Sequence, residues 1–314
     1  MARAATAAVL AAFATVLFAA AGAQAAPRPP TAAQIERATD RFLAARPAAA
    51  PRGGGIPAGG IDGQLFPASR VVSLYGAPQM GQTVLGMHTP AGAAKRLAAQ
   101  AAPYATLGDR PVIGEFDLVS VFATAGGGPD GLYRSRQADD VIGIYLEQAR
   151  AVGARLMLDV QPGRSTFSSE AAELSDWLAQ PDVDLALDPE WNVGRHGVPG
   201  QTPGKVGATE VNAVIRNLAA LVREYHLPPK LVVVHQFRRG MVRGRSRIRP
   251  RRGVQVLLNF DGIGSPLAKA AGYAGISSTT LFNGFSLFYQ RDTPLMKPAA
   301  VLGLEPAPDL LLYQ

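Results

Sequence analysis

Short apolar runs alternate with longer amphipathic segments from residue 70 to the end of the chain. The apolar runs are rich in β-branched and aromatic residues and predict eight strands, at 71–75, 111–122, 155–160, 183–187, 231–237, 254–260, 285–290 and 309–314. Helical patterns lie between them, at 91–102, 138–153, 168–180 and 207–226, with weaker ones at 266–275 and 293–304. Eight strands with mostly helical connections predict a (β/α)₈ TIM-type barrel, and an open doubly wound parallel sheet is the alternative.

Two places depart from a regular barrel pattern. The connection after the fifth strand carries an arginine-rich segment, 238–252, where a helix would be expected. No helix can follow the eighth strand, because the chain ends there. A short amphipathic helix at 31–45, with Thr31 as its N-cap, is predicted to cover that gap.

The N-terminal segments precede the barrel domain, which is predicted to span 62–314. Residues 1–25 combine one arginine, an apolar run and an Ala-x-Ala site, the pattern of a secretory signal peptide. Residues 26–61 are predicted to hold the short helix and an Ala/Pro/Gly-rich linker. The sequence thus predicts a secreted or extracytoplasmic protein with no membrane span after signal cleavage.

Composition narrows the chemistry that the chain can perform. Hydrophobic residues make up 47% of the 314 residues, which suits a globular domain with a large core. The absence of cysteine excludes disulfides, thiolate metal sites and a cysteine nucleophile. The formal net charge is +7, and eight arginines without any acid lie in 238–252. This run is either a solvated loop or a clamp for an anionic polymer; it lacks interleaved aromatics, so no nucleic-acid partner is expected.

The fourth strand, in "VDLALDPEW", runs directly into two carboxylates. Side chains alternate along a strand, so Leu185 and Leu187 are predicted to face the helix layer. Asp188 and Glu190 then share the other face and point into the barrel at its carboxyl end. Chemistry in such barrels is located at that end.

The same alternation places polar residues at the ends of the other strands. Asp159 and Gln161 follow the third strand, and Asn259 and Asp261 follow the sixth. The fifth strand supplies His235 or Gln236, depending on its register. The remaining candidates are Tyr75, Asp117, Trp191 and Gln290. A mouth lined by acids, amides and aromatic rings suits a hydroxyl-rich ligand.

Paired carboxylates at a barrel mouth are also what glycoside hydrolysis requires. The stretch "DVDLALDPEW" resembles the fourth-strand motif of chitinase-like glycoside hydrolases, and it is similar to the Asp-x-Glu of lysozyme-type muramidase barrels. The resemblance implies that Glu190 donates the proton and that Asp188 supports it. The second carboxylate would come from Asp188, Asp159, Asp117 or Asp261.

The sequence therefore predicts an exported glycoside hydrolase that acts on a carbohydrate polymer of the cell envelope or extracellular space; the clamp interpretation of 238–252 implies an anionic polymer. It predicts no cofactor and assigns no metal ligand. Two alternatives remain: a barrel that binds envelope glycan without catalysis, and a metal-dependent phosphodiester hydrolase. The latter would hold Mg²⁺ or Ca²⁺ through its carboxylates.

Overall fold

The structure is a computed structural model that describes residues 29–44 and 64–314. The strands are β1 (Arg70–Gly76), β2 (Val112–Ala123), β3 (Arg134–Arg136), β4 (Arg155–Val160), β5 (Val183–Leu187), β6 (Val206–Gly207), β7 (Lys230–Gln236), β8 (Val242–Arg243), β9 (Val254–Phe260), β10 (Phe282–Leu287) and β11 (Leu310–Tyr313). The helices are α1 (Ala32–Ala44), α2 (Val84–Met87), α3 (Pro90–Leu107), α4 (Asp139–Ala151), α5 (Phe167–Glu173), α6 (Ser175–Leu178), α7 (Ala208–Glu224), α8 (Pro266–Ile276) and α9 (Pro298–Leu302). Two short 3₁₀ helices cover Pro189–Trp191 and Arg245–Arg247.

Eight of the strands form a closed parallel barrel. Their order around the barrel is β1-β11-β10-β9-β7-β5-β4-β2, and β2 pairs with β1 to close it. These are the eight strands that the sequence predicts, so the (β/α)₈ prediction is confirmed and the open sheet is excluded. Strand β3 adds antiparallel to β2 outside the closed barrel.

The barrel interior is apolar at its middle and ionic toward its amino end. One buried cluster joins inward-facing residues from several strands, among them Val71, Met157 and Val233. Closer to the amino end of the barrel, the buried guanidinium of Arg155 donates from Nε to Oδ2 of Asp184 at 2.6 Å. Hydrogen bonds of this kind are what allow charges to remain in a protein interior.

The amino end of the barrel is closed by the residues that precede β1. The side-chain oxygen of Gln255 accepts from the backbone N–H groups of Leu65 and Phe66, at 2.8 and 3.2 Å. The ring of Phe66 packs against Phe282, with ring centroids 5.1 Å apart. These contacts cover the amino end of the barrel interior.

The outer layer follows the helical patterns of the sequence. Helix α7 buries one face, which includes Val211, Ile215 and Leu218. The single helix predicted at 168–180 is instead two short helices, α5 and α6, and the N-cap of α5 is Thr166. The hydroxyl of Thr166 accepts from the N–H of Ser169 at 3.1 Å, which satisfies a donor that the first helical turn leaves unpaired.

The N-terminal helix does not cover the gap after the last strand. Thr31 caps it as predicted, since its hydroxyl accepts from the N–H of Gln34 at 3.2 Å. However, α1 packs against α4 and β3, in the sector of β2 and β4, where Phe42 stacks on Tyr145 with ring centroids 6.1 Å apart. The prediction for its position is therefore wrong.

The predicted signal peptide at 1–25 and linker at 46–60 lie outside the described residues. Within 29–44 and 64–314, no helix has the length and apolar character needed to cross a bilayer.

Candidate functional site at the barrel mouth

Polar side chains from several barrel strands converge at the open carboxyl end. The inward-facing residues there are Tyr75, Asp117, Asp159, His235, Asn259 and Ser286, and Asp188 and Asp261 directly follow their strands. The strand registers bring some of them side by side, for example His235 of β7 opposite Asn259 of β9. Residues that are more than 200 positions apart in sequence thus line one cavity mouth, as expected for this architecture.

The most compact group within this mouth is Asp117, Asp159 and His235. One oxygen from each carboxylate and one ring nitrogen of His235 all lie within 4.8 Å of one another. All three side chains are buried. Oδ1 of Asp117, both carboxylate oxygens of Asp159 and Nε2 of His235 have no hydrogen-bond partner among the described residues. Buried polar atoms are normally paired, so these atoms are free to bind a ligand.

The orientation of His235 is set from the neighbouring strands. Its Nδ1 lies 2.9 Å from Oδ2 of Asp261. The carboxylate of Asp261 is held in turn by Nδ2 of Asn259, at 2.6 Å, and by the hydroxyl of Ser286. With Nδ1 engaged by Asp261, Nε2 is the ring nitrogen that has no hydrogen-bond partner among the described residues.

The site concentrates negative charge in a poorly solvated place. Burial, reinforced by the nearby carboxylates, raises the pKa of Asp117 and of Asp188 well above the usual range, and burial raises that of Asp159 to about 6. Burial by itself would lower the pKa of His235, but the charge of Asp261 and the other carboxylates outweighs it and raises this pKa. The mouth therefore favours any added positive charge.

The stretch 188–191 differs from its predicted geometry. The strand ends at Leu187, and Pro189–Trp191 forms a 3₁₀ turn, so Asp188 and Glu190 do not continue one strand face. Proline cannot donate to the sheet and is suited to the first position of such a turn. Both carboxyl groups are half-buried. Burial and the charge of Asp261 raise the pKa of Glu190 to about 7, against the opposing effect of Arg291 and Arg238.

The remaining predicted residues fall into two groups. Tyr75 and Gln161 meet at the mouth, where Nε2 of Gln161 donates to the tyrosine hydroxyl at 3.1 Å, and Trp191 is half-buried in the turn beside Glu190. Gln236 faces the helix layer and donates to the carbonyl of Ile276, so the register selects His235. Gln290 was predicted to end a strand at 285–290. In the structure β10 ends at Leu287, and Gln290 is exposed in the turn that follows.

Sequence reasoning missed three residues of this mouth. Ser286, on β10, bonds both Asp261 and Asn259; its place on an inward face was available from alternation, because it lies within the predicted strand 285–290 on the same face as Gln290. Arg238 and Arg291 influence Glu190 from the loops after β7 and β10. No local pattern marks those two, because their positions depend on loop conformation.

Fold and site together define a parallel (β/α)₈ barrel with an acidic, histidine-containing mouth. No protein-family model matches the chain, and no curated protein matches it either. A solved structure with a similar fold is the dihydropteroate synthase of Burkholderia cenocepacia complexed with 7,8-dihydropteroate. It is 13% identical, with a TM-score of 0.37, over 79% of this chain and 86% of that chain. At this level the likeness carries no information about a ligand.

The prediction of a glycoside hydrolase requires correction. The sequence resemblance that suggested it is confined to about ten residues, 182–191. The expected arrangement of Asp188 and Glu190 on one strand face is also absent, because the strand ends before them. The TIM-type barrel is thus confirmed, while the activity inferred from the resemblance is not retained.

Proposed function

We propose that the barrel mouth is the active site of a metal-dependent enzyme. Asp117, Asp159 and His235 hold a divalent cation, and Glu190 exchanges a proton with the substrate. The observation that carries this proposal is the convergence of three buried, unpartnered donor groups within 4.8 Å. Three protein ligands with further positions left for water or substrate are typical of catalytic rather than structural metal sites.

The histidine supports the proposal independently of the carboxylates. A metal-binding imidazole commonly donates its other N–H to a carboxylate, which sets the tautomer and the ring orientation. His235 has this arrangement, with Nδ1 at 2.9 Å from Asp261 and Nε2 without a hydrogen-bond partner among the described residues. The Asn259 and Ser286 contacts to Asp261 would keep the ring in place as ligands exchange.

The donor set indicates the class of ion. Carboxylates suit magnesium, calcium and manganese, whereas imidazole suits zinc, iron and other transition metals. Two carboxylates with one imidazole therefore favour a first-row transition ion such as Mn²⁺ or Zn²⁺. When bound, such an ion polarises a substrate oxygen or lowers the pKa of a bound water. We assign the proton transfer to Glu190, which is half-buried on the turn after β5.

The test is metal binding by the purified protein. After dialysis against a chelator, titration with Mn²⁺ or Zn²⁺ by calorimetry is expected to show one ion per chain. Asp159→Asn and His235→Ala should each weaken binding by about tenfold or more, with unchanged circular dichroism. Asp40→Asn, an exposed carboxylate on α1, is the matched control and should bind as the unsubstituted chain does.

Two outcomes decide the proposal. Absence of binding in the unsubstituted protein, or equal binding by a folded Asp159→Asn variant, would overturn it. Glu190→Gln should keep the metal but lower kcat by about 10²–10⁴-fold on any substrate that the protein turns over. Loss of the metal from this variant would instead place Glu190 among the ligands.

A further inference from the structure

The arginine-rich segment 238–252, here called the arginine strap, takes no part in the site described above except through Arg238. It holds eight arginines and no acidic residue. A regular barrel would have a helix between β7 and β9, and the arginine strap takes its place, as predicted from the sequence. The only regular structure described within the strap is β8 and one 3₁₀ turn.

The strap has a fixed conformation because the barrel holds its backbone. Asn212 of α7 donates to the carbonyl of Arg247 at 2.9 Å and accepts from the N–H of Arg249 at 2.8 Å. The Arg245 guanidinium donates to the carbonyl of Ile276 at the end of α8. Ile248 is buried in the main core. A surface already ordered in this way loses little conformational entropy when it binds a partner.

The course of the strap runs the full height of the barrel. It leaves β7 at the open mouth and reaches β9 at the closed end, where Arg251 bridges to Val254 and the N–H of Lys230 bonds the carbonyl of Gly253. Seven strand residues correspond to roughly 23 Å. The positive charges therefore form a stripe down the outer wall that begins beside the metal-site mouth.

The charges of the strap are available to a partner. Seven of its arginines are exposed, and Arg245 is half-buried. Within 29–44 and 64–314, none of the eight is paired with a carboxylate at salt-bridge distance. So many unneutralised like charges on a fixed backbone repel one another, and a polyanion relieves that repulsion.

We propose that the arginine strap binds a linear polymer of phosphate groups, laid along the barrel wall toward the mouth. Guanidinium groups bind phosphate with charge-assisted, often bidentate hydrogen bonds. A tetrahedral phosphate can accept from several guanidinium groups at once, which a planar carboxylate does less well. The strap contains no aromatic residue, so it offers no platform on which nucleic-acid bases could stack.

The test uses inorganic polyphosphate as the probe and compares two triple variants. Arg239, Arg243 and Arg252 are exposed strap residues whose side chains make no hydrogen bond within the part of the chain that the structure describes. R239S/R243S/R252S is expected to weaken binding by at least tenfold and to reduce the slope of log affinity against log salt by about 2–3. R37S/K95S/K297S removes the same charge from exposed positions elsewhere and should bind almost as the unsubstituted chain does.

The outcomes separate this proposal from its rivals and from the metal site. Equal weakening in both triple variants would show a general charge effect and overturn the strap as a site. Equal affinity for polygalacturonate or for single-stranded DNA of matched charge would overturn the assignment to phosphate. The strap variant should still bind one metal ion. The metal-site proposal and the strap proposal can therefore fail independently of each other.

Discussion

At the scale of single residues, His235 shows how a side chain acquires a role from its neighbours. Its position at the end of an apolar strand does not distinguish a core histidine from a functional one. In the structure, Asp261 holds its Nδ1, Nε2 has no partner among the described residues, and the ring lies beside Asp117 and Asp159. That arrangement depends on Asn259 and Ser286, which hold Asp261 from β9 and β10.

Glu190 leads to a prediction at this scale. Burial and Asp261 raise its pKa to about 7, and the positive charges of Arg291 and Arg238 act in the opposite direction. Arg291→Ser should therefore raise this pKa further, and Asp261→Asn should lower it. Carboxyl ¹³C NMR of the unsubstituted and variant proteins measures both shifts, with Arg37→Ser as the distant control. A pKa near the ordinary 4.5 in the unsubstituted protein would contradict the prediction.

At the scale of elements, β5 carries two functions on one face. Its inward residues are Asp184, which lies in the ionic layer near the amino end, and Ala186, and the strand ends at Leu187, just before the turn with Asp188 and Glu190. The alternation that separates its apolar from its acidic side chains was predictable. The turn was not, because Pro189 is compatible with either an extended end or a 3₁₀ helix.

The buried acid of β5 is expected to be essential for stability. Asp184 accepts from Nε of Arg155 at 2.6 Å and from the N–H of Leu231 at 2.7 Å. Asp184→Ala leaves the Arg155 charge buried without its partner and should lower the free energy of unfolding by about 3–5 kcal/mol. Urea denaturation measures the change, and Asp40→Ala on the exposed face of α1 should stay within about 0.5 kcal/mol of the unsubstituted protein. A similarly small change for Asp184→Ala would show that Arg155 finds another partner.

At the scale of the whole molecule, stability rests on closure of the barrel. Strand β11 is the last element of the chain, yet it pairs with both β10 and β1. Among the described residues, β11 is preceded by the short helix α9 and is followed by no helix. The arginine strap stands in place of a helix between β7 and β9. The parallel ladder itself must therefore hold these sectors together.

Closure can be tested with matched proline substitutions. Leu312 pairs with Ser73 on one side and Ser286 on the other, so Leu312→Pro removes a donor within a central strand and should destabilise the fold by about 3 kcal/mol or more. Ser135→Pro makes the same change in β3, which pairs only with β2, and should have a much smaller effect. Thermal unfolding followed by circular dichroism compares the two. Equal effects would indicate that closure contributes no more than an edge pairing.

The sequence by itself determined the barrel, the strands that form it and the missing helix at 238–252. These follow from local alternation of apolar and polar positions, which each segment carries independently of the rest. It also placed Asp117, Asp159, His235 and Asp261 among the candidates. Only the tertiary structure brought the first three together and oriented the histidine, because their strands are distant in sequence and meet only when the barrel closes in one register. The conformations of the 188–191 turn and of the loops with Arg238 and Arg291 were likewise decided by packing across the mouth, about which local sequence carries no information.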